Sequence, residues 1–211
     1  MIPSRLRDPS LWAIILGNAF SIFMAYTQKW PLYQTLWIYW SQSVIIGIVN
    51  FFRMMNLKEF STKNLTMNDR PVPETTAGRN SVAFFFAFHY GFFHFVYACF
   101  LWDYMPLADI DIRSLALTAL CVLGFLGSHA YSFRYNAQMD FRDKKPNLGT
   151  IMFYPYLRII PMHLIIIMGA DMGQNALIFF MVMKTFADAG MHMVEHHLFQ
   201  KPEKTPAYMK D

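Results

Sequence analysis

The sequence predicts an all-α protein, a polytopic bundle of about six transmembrane helices, and three observations support this fold class. The 211-residue chain is 55% hydrophobic and only 15% charged, whereas a soluble domain carries about 25% charged residues. The apolar residues form long runs between short polar connectors. Positive charge alternates from one connector to the next. The net charge of +4 therefore reflects topology, and no nucleic-acid partner is implied.

Each apolar run is close to the roughly 20 residues that a helix needs to cross about 30 Å of hydrocarbon. Backbone groups in lipid must be hydrogen-bonded within their own segment, so these runs are expected to be helices. The longest connector, residues 56–80, is polar and is predicted to be a cytoplasmic loop. The spans of this single domain, residues 1–211, are predicted at residues 11–26, 33–54, 81–102, 114–133, 151–170 and 175–199.

The distribution of basic residues predicts the orientation. They concentrate in the N-terminus, the second and fourth connectors and the C-terminal tail, while the third connector is acidic, with Asp103, Asp109 and Asp111. The positive-inside rule then places both termini in the cytoplasm. We expect a multi-pass protein of the cytoplasmic (inner) membrane, with membrane lipids as its partners. Cys99 and Cys121 both lie in apolar runs, which does not suggest a disulfide framework.

The last span carries an unusual polar stripe. Lys184, Asp188, His192 and His196 are each four residues apart, which places them one above another on a helix. Ionisable side chains are costly in a bilayer, so they usually face the bundle interior and have partners there. The stripe therefore predicts a functional or strongly paired face on this helix.

One hypothesis is a metal-dependent intramembrane hydrolase. Depth estimates from a rise of 1.5 Å per residue allow polar side chains of four spans to meet in the cytoplasmic half of the bundle. Imidazole and carboxylate ligands suit zinc or iron, and an open ligand position would activate a water molecule. The substrate would be a lipid or a small molecule. The predicted metal ligands are His89, His163, Asp188 and His192, and the predicted catalytic residues are His129 and Ser128.

Several alternatives remain open at this point. Lys184 and Asp188 can form an intramembrane salt bridge, and Arg158 can pair with Asp188, an anionic lipid headgroup or a substrate. The same residues can form a His/Asp/Lys relay in a transporter or proton conduit. A haem protein and a non-catalytic scaffold, held together by hydrogen bonds from its histidines, are further readings. Pro161 is expected to kink the fifth span and to free a backbone carbonyl. The oligomeric state is not predicted.

Several motifs, in this order and spacing, carry a resemblance to a known family: IYWSQSVIIGIVNFFRM, FHYGFFHFV, SHAYSF, YLRIIPMHLIIIMGA and MKTFADAGMH. They resemble a family of small polytopic bacterial and archaeal membrane proteins that is catalogued as a domain of unknown function. The resemblance covers most of the chain and implies no activity. It departs at Gln42, where an acidic residue is common in the family. Its motif positions include His89, His129, His163, Asp188 and His192.

Overall fold

The computed structural model describes residues 32–104, 145–172 and 175–199, together with scattered positions between 19 and 27 and between 112 and 127. In the last helix its description of side chains ends at Met191. The described chain is mostly helical. The helices are α1 (Leu32–Met55), α2 (Thr76–Tyr104), α3 (Leu148–Phe153), α4 (Ile159–Met172) and α5 (Asn175–Phe199). A 3-10 segment, Tyr154–Arg158, joins α3 to α4, and two short strands, β1 (Thr66–Met67) and β2 (Arg70–Pro71), precede α2.

Helices α1 and α2 form the largest packed pair, and α4 packs against α5. A glycine on α1 allows the first pair to approach closely. A Cβ added to Gly47 would lie 2.6 Å from Cε1 of Tyr90 on α2. Small residues serve this purpose in membrane bundles, where packing rather than water exclusion drives helix association. The close approach brings the polar side chains of α1 within hydrogen-bonding distance of α2.

The connector between α1 and α2 is a folded β-hairpin. Its two central residues, Asn68 and Asp69, have φ angles of 51° and 59°. Positive φ at both positions is the signature of a type I′ turn, which asparagine and aspartate tolerate and which matches the twist of a two-residue hairpin. Ser61 ties the connector to the start of α3, since its backbone N–H donates to Pro146 O at 2.9 Å and its carbonyl accepts from Leu148 at 2.8 Å. The predicted loop is therefore ordered.

The predicted fifth span is interrupted by the 3-10 segment. Pro155 lies in the first positions of that segment and has no N–H to donate to the carbonyl of Ile151, four residues earlier. The side chain of Asn50 on α1, which is fully buried, takes over this role: its Nδ2 donates to Ile151 O at 3.0 Å. Pro161 lies in the first turn of α4, where a missing N–H costs least. The sequence predicted a kink at Pro161, but the break in the helix is the 3-10 segment Tyr154–Arg158, which ends before this proline.

Three stretches of the described chain are long and apolar enough to cross a membrane by length and composition: Gln34–Met55, Thr76–Asp103 and Leu148–Met168. They match the second, third and fifth predicted spans. The sixth predicted span forms a helix over the predicted residues but is not among these three stretches. The first falls mainly, and the fourth by half, on residues outside the described ones. Six spans and cytoplasmic termini therefore stay predictions, while a mostly helical fold with stretches long and apolar enough to span a membrane is confirmed.

Candidate functional site

The main charged cluster of the described chain joins the interrupted helix to α5. Arg158, at the end of the 3-10 segment, donates from Nη1 to Asp188 Oδ1 at 2.7 Å. Lys184, one turn before Asp188 on α5, donates to the other carboxylate oxygen, Oδ2, at 2.5 Å. The side chains of Arg158, Lys184 and Asp188 are 5%, 22% and 17% exposed. Both cations therefore share one carboxylate in a largely water-excluded place, as the salt-bridge alternative predicted.

Two residues of helix α1, Tyr39 and Gln42, make three further contacts with Arg158. The guanidinium carbon lies 4.2 Å from the ring centroid of Tyr39, a cation–π geometry. The hydroxyl of Tyr39 donates to the backbone carbonyl of Arg158 at 3.1 Å, close to the break in the helix. Nη2 of Arg158 donates to Gln42 Oε1 at 3.3 Å, which is longer than an ordinary hydrogen bond of this kind.

One atom of this arginine is unsatisfied. Nε of Arg158 is buried and has no hydrogen-bond partner in the described part of the chain. Nε and Nη2 lie on the same edge of the guanidinium, the edge that binds a carboxylate through two parallel hydrogen bonds. Among the described residues, this edge makes only the long contact from Nη2 to Gln42, whereas Nη1 is paired with Asp188.

A second polar cluster connects α1 to α2 and consists of Ser43, Tyr90 and His94, all buried. His94 Nδ1 lies 2.8 Å from the carbonyl of Tyr90, and because a carbonyl only accepts, Nδ1 donates. In the neutral ring, Nε2 then accepts from the hydroxyl of Ser43 at 2.9 Å. The hydroxyl of Tyr90 lies 2.8 Å from Ser43 Oγ. The cluster is fully hydrogen-bonded and joins two spans.

Three of the four predicted metal ligands, His89, His163 and Asp188, each have different partners in the described structure. His89 Nδ1 lies 2.8 Å from the hydroxyl of Tyr156, and His163 Nδ1 lies 3.1 Å from the hydroxyl of Tyr97. Asp188 is occupied by the two cations. Among the residues that the structure describes, no group of three His, Cys, Asp or Glu side chains is placed to hold a metal ion. Metal binding is therefore not supported by this part of the chain.

Three predicted site residues lie outside this description. Ser128 and His129, predicted to be catalytic, are outside the described residues, and so is the side chain of His192. Their roles, and the zinc or iron ion with them, stay predictions.

The site predicted from the sequence consisted mainly of histidines and did not include the α1 residues that surround Arg158. Tyr39, Gln42 and His94 were not among the predicted site residues. Spacing offered a partial signal, because Tyr39, Gln42 and Ser43 lie within about one turn of α1. Their convergence on Arg158 and on α2 depends on how the helices pack, which one sequence does not reveal.

The sequence profile of a family of unknown function (DUF6498) matches residues 1–205. No curated protein and no solved structure matches the chain.

Proposed function

The chain belongs to this family of unknown function, and from its site we propose that it is a membrane transporter or proton conduit in which Asp188, held between Arg158 and Lys184, takes up and releases the proton. The observation that carries the proposal is the pairing of Arg158, from an interrupted membrane helix, with Asp188 on α5 at 2.7 Å. The protein would act as a multi-pass bundle in the cytoplasmic membrane.

The position of Arg158 supports this proposal. It lies near the middle of Leu148–Met168, a stretch long and apolar enough to span a membrane. An arginine at the centre of a membrane helix costs about 2.5–3.5 kcal/mol on insertion scales. Charged residues at that depth usually pair with one another and mark an ion or substrate pathway. A purely apolar side chain would stabilise the same packing at lower cost.

The interruption of the helix is a second support. Irregular backbone occurs at membrane depth where it is buried in protein or lines a cavity, and secondary transporters build their sites at such broken helices. Here the 3-10 segment, Tyr154–Arg158, ends at the charged residue itself. A short 3-10 stretch within a helix often marks a hinge. The break thus supplies a place where the pairing of Arg158 can change.

The shared carboxylate provides the relay. Asp188 accepts from Arg158 through Oδ1 and from Lys184 through Oδ2, so it remains paired if either contact opens. A proton gained by Asp188 weakens both contacts at once, because the neutral carboxyl no longer attracts the cations. Proton transfer at Asp188 would therefore be coupled to movement between α5 and the interrupted helix.

The experiment is a flux assay in proteoliposomes that contain a pH-sensitive dye and are energised by a potassium diffusion potential. We expect the wild-type protein to carry protons above the rate of protein-free vesicles. Asp188→Asn should abolish this flux, and Lys184→Gln, which leaves the Arg158–Asp188 pair in place, should reduce it. Arg70→Gln on the exposed hairpin is the matched control and should retain wild-type flux.

Size-exclusion chromatography and circular dichroism establish whether each variant is folded. Wild-type proton flux that does not exceed the vesicle background, or full flux in folded Asp188→Asn, would contradict the proposal. Reduced stability without any flux would instead indicate that the charged cluster only holds the bundle together.

The metal-dependent hydrolase predicted from the sequence is tested separately. Metal quantification of protein purified without a chelator, repeated for Asp188→Ala and His192→Ala, measures whether zinc or iron is bound. Bound metal that is lost in both variants would favour the hydrolase over the relay.

A further inference from the structure

We propose that the Nε–Nη2 edge of Arg158 binds the carboxylate of a small anionic substrate. The inference rests on the transport function proposed above, whose substrate class it names. It begins from the one buried donor of the charged cluster, Arg158 Nε, for which the described residues offer no hydrogen-bond partner. The side chain of Arg158 is 5% exposed, so this donor lies inside the packed helices.

A buried unsatisfied donor is costly, and buried polar groups in native proteins nearly always have partners. A charged donor is costlier still, since both its desolvation and its missing partner count against folding. Such an atom in a membrane-embedded cluster therefore suggests a ligand that completes the site.

The geometry of the Nε–Nη2 edge selects the class of ligand. Nε and Nη2 present two parallel N–H bonds, which fit the two oxygens of a carboxylate. The third nitrogen already pairs with a carboxylate, that of Asp188, and one face of the guanidinium is covered by the Tyr39 ring at 4.2 Å. A ligand in the guanidinium plane is compatible with both contacts. Its carboxylate would thus bind beside Asp188 without displacing it.

Gln42 closes this edge in the absence of ligand. Its contact with Nη2 is 3.3 Å long, near the upper limit for a hydrogen bond. A neutral amide also competes poorly with a carboxylate, because a charge-assisted hydrogen bond is roughly twice as strong. An incoming carboxylate is therefore expected to replace Gln42 on Arg158.

This role for Gln42 makes a nearly isosteric test available. Gln42→Glu places a permanent carboxylate next to this edge, so the variant should occupy the site from within and remain folded. Gln34→Glu introduces the same charge on the same helix, eight residues away, about 12 Å along the helix axis. It controls for the added negative charge and also removes the hydrogen bond from Gln34 Nε2 to Thr118 Oγ1 at 3.1 Å.

The measurement is the thermal unfolding of the purified full-length protein in detergent. Sodium acetate or sodium benzoate is added at up to about 100 mM, because such concentrations reveal millimolar binding through the rise in Tm. Sodium chloride at equal ionic strength is the reference. We expect both carboxylates to raise the Tm of the wild type and of Gln34→Glu. Gln42→Glu should unfold at a higher Tm without ligand. Its affinity for the two carboxylates should be at least about tenfold weaker than that of the wild type.

Two results would overturn the inference. One is a wild-type Tm that rises no more with acetate or benzoate than with chloride. The other is a Gln42→Glu variant that responds to carboxylates as the wild type does. The binding assay does not depend on flux: proton flux without carboxylate binding refutes this inference alone, and carboxylate binding without any flux refutes the transport function alone.

Discussion

Substituting Asn50 with leucine tests whether this side chain repairs the broken helix. Leucine has the same branching at Cγ but cannot donate to the carbonyl of Ile151, which Asn50 Nδ2 contacts at 3.0 Å. A buried carbonyl left without a donor costs about 1–3 kcal/mol. The substitution also removes Asn50 Oδ1, a buried acceptor with no partner among the described residues. The net loss of stability is therefore expected at the low end, about 1 kcal/mol.

Repeating the Asn50→Leu substitution in a Pro155→Ala variant isolates the hydrogen bond from Asn50 Nδ2 to Ile151 O. Alanine restores the backbone N–H, which can then donate to the carbonyl of Ile151 within a continuous helix. In that background Asn50→Leu should be neutral or stabilising, because the carbonyl no longer depends on Asn50. The interaction free energy of the two substitutions should be about 1 kcal/mol or more.

The assay is equilibrium unfolding in mixed detergent micelles. It is carried out on the wild type, on both single variants and on the double variant. A cost of Asn50→Leu that is equal in both backgrounds would refute the reasoning, since Asn50 would then act independently of the proline.

Three further predictions concern packing, hydrogen bonding and the turn. Gly47→Ala should lower stability by about 1–3 kcal/mol, because its Cβ would lie 2.6 Å from Tyr90. The control Gly91→Ala, whose Cβ meets no described atom within 4 Å, should be close to neutral in the same unfolding assay. Equal effects of the two substitutions would contradict the predicted clash with Tyr90. Ser43→Ala should cost about 1–3 kcal/mol because it leaves the buried Nε2 of His94, now 2.9 Å from Ser43 Oγ, without a donor. Wild-type stability would be the contrary result. Asp69→Gly should raise the Tm slightly, because glycine adopts the positive φ of 59° without strain; a lowered Tm would contradict the assigned turn.

The sequence was sufficient to predict the second and the last helical segments. The second predicted span, residues 33–54, agrees within one residue at each end with Leu32–Met55, and the last agrees at both ends with Asn175–Phe199. Apolar runs of this length have few alternatives to a helix in lipid. The start of α2 at Thr76, five residues before the predicted start, was missed because the residues there are polar.

The candidate site was predicted only in part. Asp188 and its pairing with Lys184 followed from their spacing of four residues, which a helix always converts into proximity. The pairing of Arg158 with Asp188 was one alternative among three, because it depends on the contact between two helices. The shared metal centre was inferred from depth alone, and depth does not determine which way a side chain faces. His89 and His163 instead contact tyrosines on neighbouring segments.

The 3-10 segment also explains why helical periodicity could not predict these contacts. An ideal 3-10 helix advances 120° per residue against 100° in an α-helix, so the five residues of Tyr154–Arg158 can rotate α4 by up to about 100° relative to a continuous helix. A face predicted from uniform α-helical spacing is therefore displaced for the residues after Arg158. The rotation also determines which side of α4 faces α5. Straightening the segment would turn α4 relative to α3, so the position of Arg158 beside Asp188 and the break in the helix depend on each other.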